Sequence, residues 1–223
     1  MSAELAHAVW PDLVATDRIL LVPVGATEQH GPHLPLGTDT ELAVAVAHTA
    51  AARDRRLLVA PAVAYGSSGE HEGFPGTLSI GQGATELLLI ELCRSATATF
   101  DRVILVCTHG GNVAPVRRAI ATLQAEGRDV TVFAPEWGGD AHAGRAETSL
   151  MLAIAPQRVL EPEARPGNTR PLAELITKLE TSGVRELSSN GVLGDPSGAD
   201  ADEGRRLLAA AAGALVAGLP RSE

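Results

Sequence analysis

Residues 25–39 read GATEQHGPHLPLGTD. They place Glu28, His30, His33 and Asp39 on a chain punctuated by Gly31, Pro32, Pro35 and Gly37, directly after the apolar run Ile19-Leu20-Leu21-Val22-Pro23-Val24. Carboxylates and imidazoles together are normal ligands for zinc, manganese and iron(II). Glu28 and His30 are two positions apart, so in extended backbone both side chains point to one side. The prolines and glycines that follow can bend the chain back and return Asp39 to the same place. A second group, Thr108-His109-Gly110-Gly111-Asn112, follows another apolar run at 103–107. A third, GGDAHAGRAETS at 138–149, carries His142 and Glu147. Five positions do not share a helical face, which puts His142 in a loop and Glu147 in the first turn of the helix after it. A candidate set weighted toward carboxylate rather than imidazole suits a pair of ions about 3.5–4 Å apart, with one carboxylate bridging.

Each piece has an ordinary structural reading. His7 and His48 read as surface and helix residues, His33 as a residue that shapes its proline-rich loop, and Asp140 as a cap on the turn before a helix. HGGN alone is also a glycine turn. His71, with Glu70 and Phe74, is a candidate for lining a substrate pocket. Trp137 either stacks on a substrate ring or covers the core.

The elements that would position these groups follow from the pattern of apolar runs. Segments 19–24, 57–60, 103–107 and 130–134 are short, β-branched or leucine-rich and bounded by turn or charged residues, as buried parallel strands are. Segments 41–53, 83–99, 113–125 and 145–155 read as helices, the last ended by Pro156. Alternating strands and helices predict an α/β layered domain with a mainly parallel sheet, spanning 1–223 as one unit. Ligands of such sheets bind beyond the carboxyl ends of the strands. The loops after 19–24 and 103–107 would then open on the same edge. The stretch 161–204 is rich in Pro, Gly, Ser and charge, with a short helix near 171–180. It reads as an excursion packed on the domain or on a neighbouring subunit. An Ala-rich helix at 207–219 closes the chain.

With 223 residues there is enough chain for one well-buried domain. Aromatics are only 3%, so the core must be built from Ala, Val, Leu and Ile. A formal charge of −9 argues against a nucleic-acid partner. No segment approaches the ~20 apolar residues of a membrane span. The start MSAELAHAVWPDL lacks a basic end followed by an apolar core, so a cytoplasmic protein is expected, with Cys93 and Cys107 as reduced thiols. There is no G-x-S-x-G elbow and no Walker A pattern, which sets aside a serine hydrolase and a phosphate-binding loop.

Taken in order, TEQHGPHLPLGTDT, SGEHEGFPGTLSIG, HGGN, DAHAGRAETSLML and GVLGDP resemble the creatininase family of metal-dependent amidohydrolases, from about Val22 to about Arg205. The resemblance implies a three-layer creatininase-like α/β fold, a homo-oligomer, often a hexamer, and two divalent metal ions per subunit (Zn, Fe or Mn). It implies that Glu28, Asp39 and His109 hold one ion, that His30, Asp39 and Glu147 hold the second, and that His142 transfers the proton near the scissile amide. Creatininase itself has a Tyr-Glu pair after the histidine matching His109, and that glutamate serves the metal site. Here Gly110 and Gly111 stand there, so creatinine is not the expected substrate. Stretches 64–71, 165–172 and 191–205 resemble a branch of the family that acts on a modified ribosomal precursor peptide, cleaving before its C-terminal Val-Tyr unit. Two other readings use the same residues: a hydrolase of a small cyclic amide or formamide, and a non-catalytic oligomeric scaffold stabilised by structural ions. A structural zinc site usually has a closed four-ligand set, often with Cys, whereas carboxylates dominate here.

Overall fold

Four apolar runs form one parallel sheet in the computed structural model, which describes residues 3–14 and 17–220. The strands are β1 (Ile19–Val24), β2 (Leu57–Val59), β3 (Arg102–Cys107) and β4 (Val130–Phe133), in spatial order β2-β1-β3-β4. Every residue of β1 is buried, because helices cover both faces of the sheet. On one face Leu20, Val22, Leu105 and Cys107 pack against α2 (Gly81–Ala96) and α3 (Val113–Ala125) through Leu89, Cys93, Val116 and Leu123. On the other, Leu21, Ile104 and Val106 pack against α1 (Thr38–Ala51) and α6 (Ala201–Ala217) through Val46, Ala47, Ala50, Ala212 and Leu215. Small alanines let these helices lie close to the sheet. The result is the layered α/β domain that the sequence pattern predicts, in the three-layer form that the family resemblance implies.

Pro23 in a central strand looks anomalous, since proline cannot donate to a ladder. The backbone carbonyls of Leu21 and Pro23 both face the β2 side, accepting from Ala60 and Val63. The missing Pro23 N–H therefore also faces that side, where β2 has already ended at Val59.

Strand boundaries fall within one residue of expectation; three helices, α1, α2 and α6, begin earlier. α1 starts at Thr38, because the Thr38 hydroxyl donates to the Pro35 carbonyl at 2.7 Å and turns the chain into the helix. Asp39 thus sits in a first helical turn rather than in the preceding loop. α6 starts at Ala201, because Asp200 caps it, accepting from Glu203 N at 2.9 Å. The helices α4 (Arg145–Ile154) and α5 (Leu172–Ser182) complete the set. Leu175 of α5 packs with Val184 and Leu193, so the polar stretch after α4 has its own small apolar anchor. Cys93 and Cys107 are free and buried, and burial pushes both thiols up to about 11. Among the described residues no helix is long and apolar enough to cross a membrane.

Candidate metal centre

The loop that leaves β1 crosses the start of α1 at Gly25. A Cβ there would lie 2.4 Å from the backbone nitrogen of Thr40, so only glycine permits the crossing. Asp39 arrives on the first turn of α1, its carbonyl held by the Thr108 hydroxyl at 2.7 Å. His109 follows β3. Asn112 then ties the surrounding loops together: Nδ2 donates to Gly25 O and Oδ1 accepts from Ser67 N, each at 2.9 Å.

His142 and Glu147 come from the entry to α4. Between them Ala143 is forced to φ 52°, a left-handed conformation that costs a non-glycine residue about 1–3 kcal/mol. Its N–H donates to Glu147 Oε2 at 2.6 Å, which fixes that carboxylate. The backbone of His142 forms an isolated antiparallel bridge with Leu193, with bonds of 3.1 and 2.9 Å. The polar excursion therefore forms a wall of the site.

These routes bring all six expected residues together. Glu28, Asp39 and His109 each offer a ligand atom within 4.8 Å of the others. The same holds for His30, Asp39 and Glu147, and for Glu28, His30 and His142. Asp39 belongs to the first two groups, with Oδ1 3.3 Å from His30 Nε2 and Oδ2 3.4 Å from His109 Nδ1. Glu28 Oε1, Glu28 Oε2 and Asp39 Oδ2 are buried and accept no well-aligned hydrogen bond, although His71 Nε2 and His109 Nε2 lie 3.1 and 3.2 Å from the two Glu28 oxygens. An unpaired buried polar atom costs about 1–3 kcal/mol, and more when charged. Three such oxygens converging with imidazole nitrogens are what divalent cations satisfy, so the residues present fit a metal pair.

Backbone carbonyls set the imidazole tautomers, because a carbonyl can only accept. His30 Nδ1 donates to Glu28 O at 3.1 Å, leaving Nε2 to face Asp39. His109 Nε2 donates to Ser67 O at 2.8 Å, leaving Nδ1 to face Asp39. His142 Nε2 donates to Gln29 O at 2.9 Å, leaving Nδ1 4.0 Å from Glu28 Oε1. The bond that His30 makes to Glu28 O is of the outer kind that orients metal-ligating histidines.

The charges follow from burial and crowding. Burial pushes the Glu28 carboxyl up to about 8; His109 opposes that and Asp39 adds to it. Burial disfavours the His30 imidazolium, yet Asp39, Glu147 and Glu28 outweigh it and hold its pKa up at about 10. Burial likewise acts against the Asp39 charge, but His30 and His109 keep that carboxyl below its usual value. Glu147 is raised by burial, partly offset by His30. His142 is held well below 6.5 by burial, with His30 and His71 adding repulsion.

The other candidates divide. His71 is buried beside the cluster, Nε2 3.1 Å from Glu28 Oε1 and Nδ1 accepting from Gln29 Nε2 at 2.9 Å. Phe74 edges an open cavity of about 550 Å³ with Tyr65, Leu78 and Ile80. Trp137 packs across the seam between the α6 side of the core and the cluster around Leu150 and Met151, and edges a second cavity with Asp140 and Arg145. His33 donates from Nε2 to Thr148 Oγ1 at 2.9 Å, a loop-shaping contact. Asp140 Oδ2 accepts from Arg145 N and Asp195 N, as a turn cap does. His7 and His48 lie against Glu4 and take no part in the cluster.

Gln29 was not foreseen. Its Nε2 donates to His71 Nδ1 and to Gly191 O, and its Oε1 accepts from Gly31 N. In a regular strand it would point away from Glu28 and His30; the loop backbone does not keep that alternation. Thr108 was also missed, because a threonine that binds a backbone carbonyl leaves no spacing signal.

Fold and site together define an α/β protein of the hydrolase class, with a buried carboxylate–imidazole cluster at the carboxyl ends of β1 and β3. The chain belongs to the creatininase family, whose model, described as creatinine amidohydrolase, matches residues 6–219. It is 54% identical to the mycofactocin precursor peptide peptidase of Mycolicibacterium smegmatis, over 93% of this chain and 90% of that one. A crystal structure of creatinine amidohydrolase superposes with a TM-score of 0.83 at 25% identity, over 97% of this chain and 96% of that one. A creatininase variant described as a zinc–zinc type shares the fold at 24% identity, with a TM-score of 0.83 and the same coverage.

Proposed function

We propose that this protein is a dinuclear metal-dependent amidohydrolase that acts as a peptidase on the mycofactocin precursor peptide, releasing its modified C-terminal Val-Tyr unit. The observation that carries the metal reading is the convergence of three unpaired buried carboxylate oxygens with His30 and His109. Identity to a peptidase of that name over nine-tenths of both chains supports the substrate. Glu28, Asp39 and His109 hold one ion and His30, Asp39 and Glu147 the other, with zinc, iron or manganese compatible with these donors. When bound, the ions supply Lewis-acid polarisation of the amide carbonyl and lower the pKa of water.

The chain's own part in the proton traffic falls to His142. Its Nε2–H is fixed on the Gln29 carbonyl, so Nδ1 presents a lone pair to the cluster. Burial keeps the ring neutral, and the Nδ1 lone pair is where it takes up a proton during turnover. It then passes that proton to the leaving nitrogen. His71, Phe74 and Trp137 are the substrate-facing side chains in this reading, and the cavity beside Phe74 offers room for a peptide side chain. The reading also takes the chain as one domain of a cytoplasmic homo-oligomer, a hexamer, with no nucleic-acid or membrane partner.

The test is incubation of metal-loaded and metal-stripped protein with the modified precursor peptide, with products followed by mass spectrometry. Release of the C-terminal fragment with metal only is expected. Intact peptide with both ions bound would overturn the peptidase assignment and direct the search to cyclic amides and formamides. Loss of fold on stripping, with no hydrolysis of any amide, would favour a metal-stabilised scaffold.

A further inference from the structure

His71 is the imidazole beside the cluster whose proton is set by a side chain instead of a backbone carbonyl. Its Nδ1 lies 2.9 Å from Gln29 Nε2. Two backbone groups fix which way round that amide sits. The Gly31 N–H can only donate, and it meets Gln29 Oε1 at 2.9 Å; the Gly191 carbonyl can only accept, and it meets Gln29 Nε2 at 3.1 Å. His142 Nε2 is also 3.1 Å from Gln29 Nε2, but its own proton goes to Gln29 O, so it cannot accept. The second amide N–H therefore has His71 Nδ1 as its acceptor. An imidazole that accepts at Nδ1 carries its single proton on Nε2.

That Nε2 faces the centre, 3.1 Å from Glu28 Oε1, while Glu28 Oε2 lies on the side of His109. The amide that sets the proton is closely held. Its backbone N–H donates to Thr77 Oγ1 at 3.2 Å. A Cβ on Gly191 would lie 1.9 Å from Gln29 Oε1, and Gly191 takes φ 80°, so only glycine lets the turn at 188–191 close over the amide.

We infer that Gln29 is a positioning residue that locks His71 in its Nε2–H form, so that His71 meets the centre as a hydrogen-bond donor to Glu28 Oε1, leaves Oε2 for the ion held with Asp39 and His109, and is not itself a metal ligand. The inference rests on the metal reading above. A bare Nε2 at this place would ligate. A protonated one makes the ring an outer partner of a ligating carboxylate, and losing such a partner typically costs about 10–100-fold in metal affinity.

The experiment joins nitrogen NMR to a metal titration. In zinc-loaded protein labelled with nitrogen-15 in its histidine rings, the resonances distinguish protonated, bare and metal-bound nitrogens, and the His71 pair is identified by its absence in His71→Phe. Nε2 protonated and Nδ1 bare are expected in wild type. In Gln29→Glu, whose carboxylate can accept but not donate, the proton should move to Nδ1. Stripped wild type, His71→Phe and His71→Gln are then titrated with zinc against a chromophoric chelator, with folding checked by circular dichroism. His71→Phe is expected to weaken one ion about 10–100-fold. His71→Gln, whose amide nitrogen can stand where Nε2 stood, should stay near wild type. A bare or metal-bound His71 Nε2 in wild type would overturn the inference, whatever the variants do. So would wild-type zinc affinity in folded His71→Phe, or a raised KM with metal content intact, which would make His71 a substrate contact alone. Failure of wild type itself to bind zinc would instead sink the metal reading on which the inference stands.

Discussion

Asp39 Oδ1 lies 3.3 Å from His30 Nε2, and the remaining oxygen of that carboxylate faces His109 Nδ1 at 3.4 Å. One side chain on the first turn of α1 thereby joins the loop after β1 to the loop after β3. If Asp39 bridges two ions, Asp39→Asn should lose both together, because the amide nitrogen cannot ligate and its oxygen carries no full charge. Metal analysis of the purified variant checks this. Full metal content, or loss of one ion only, would contradict the bridging role.

Metal binding should also move protons. Metal-free, Glu28 titrates near 8, raised by burial against the pull of His109, and His30 near 10, where Asp39 and its fellow carboxylates overcome burial. At pH 7 both hold a proton that an ion must displace. The metal-free protein thus binds more protons than the loaded one, and affinity should rise with pH up to and through about 8. Calorimetric zinc titrations in buffers of different ionisation heat should show net proton release. A pH-independent affinity would refute this.

His142→Ala should keep both ions and lose turnover by about 10²–10⁴-fold, the usual worth of a positioned proton-transfer group. The close grouping of Glu28, His30 and His142 makes the metal content of this variant decisive. A missing ion would make His142 a ligand instead.

His33 gives a stability prediction independent of the metal. Its Nε2 donates to Thr148, and burial, with repulsion from His30, lowers its pKa to about 4. Its Nδ1 is buried without a partner, so protonating it would bury an unpaired N–H. The unfolded chain takes up that proton near ~6.5. Between those values the unfolded state holds more protons, so stability should fall as pH drops from about 6.5 to about 4. Urea midpoints of metal-free wild type should fall more steeply over that range than those of His33→Asn. Parallel curves would show that His33 contributes nothing to the acid sensitivity.

The strands were legible because β1 and β3 are buried on both faces and read as unbroken apolar runs. The residues of the cluster were legible because Glu28, His30, His109 and His142 sit next to element ends, where spacing and loop chemistry are informative. What the sequence hid was tertiary. Asp39 belongs to a helix because a Thr38 hydroxyl finds the Pro35 carbonyl. Gln29 reaches His71 and Gly191 because an irregular loop aims it inward. The place of the polar stretch 161–204 depends on Leu193 pairing with His142 and Val184 with Glu70, contacts between distant segments that local patterning does not encode.

The most direct test is to strip the protein, confirm that it stays folded, and return zinc, manganese or iron(II) stepwise while following hydrolysis of the precursor peptide. The expected result is no cleavage without metal and activity rising to a plateau at two ions per chain. Full cleavage by the stripped, folded protein, or a chain that binds no ion at all, would contradict the central claim.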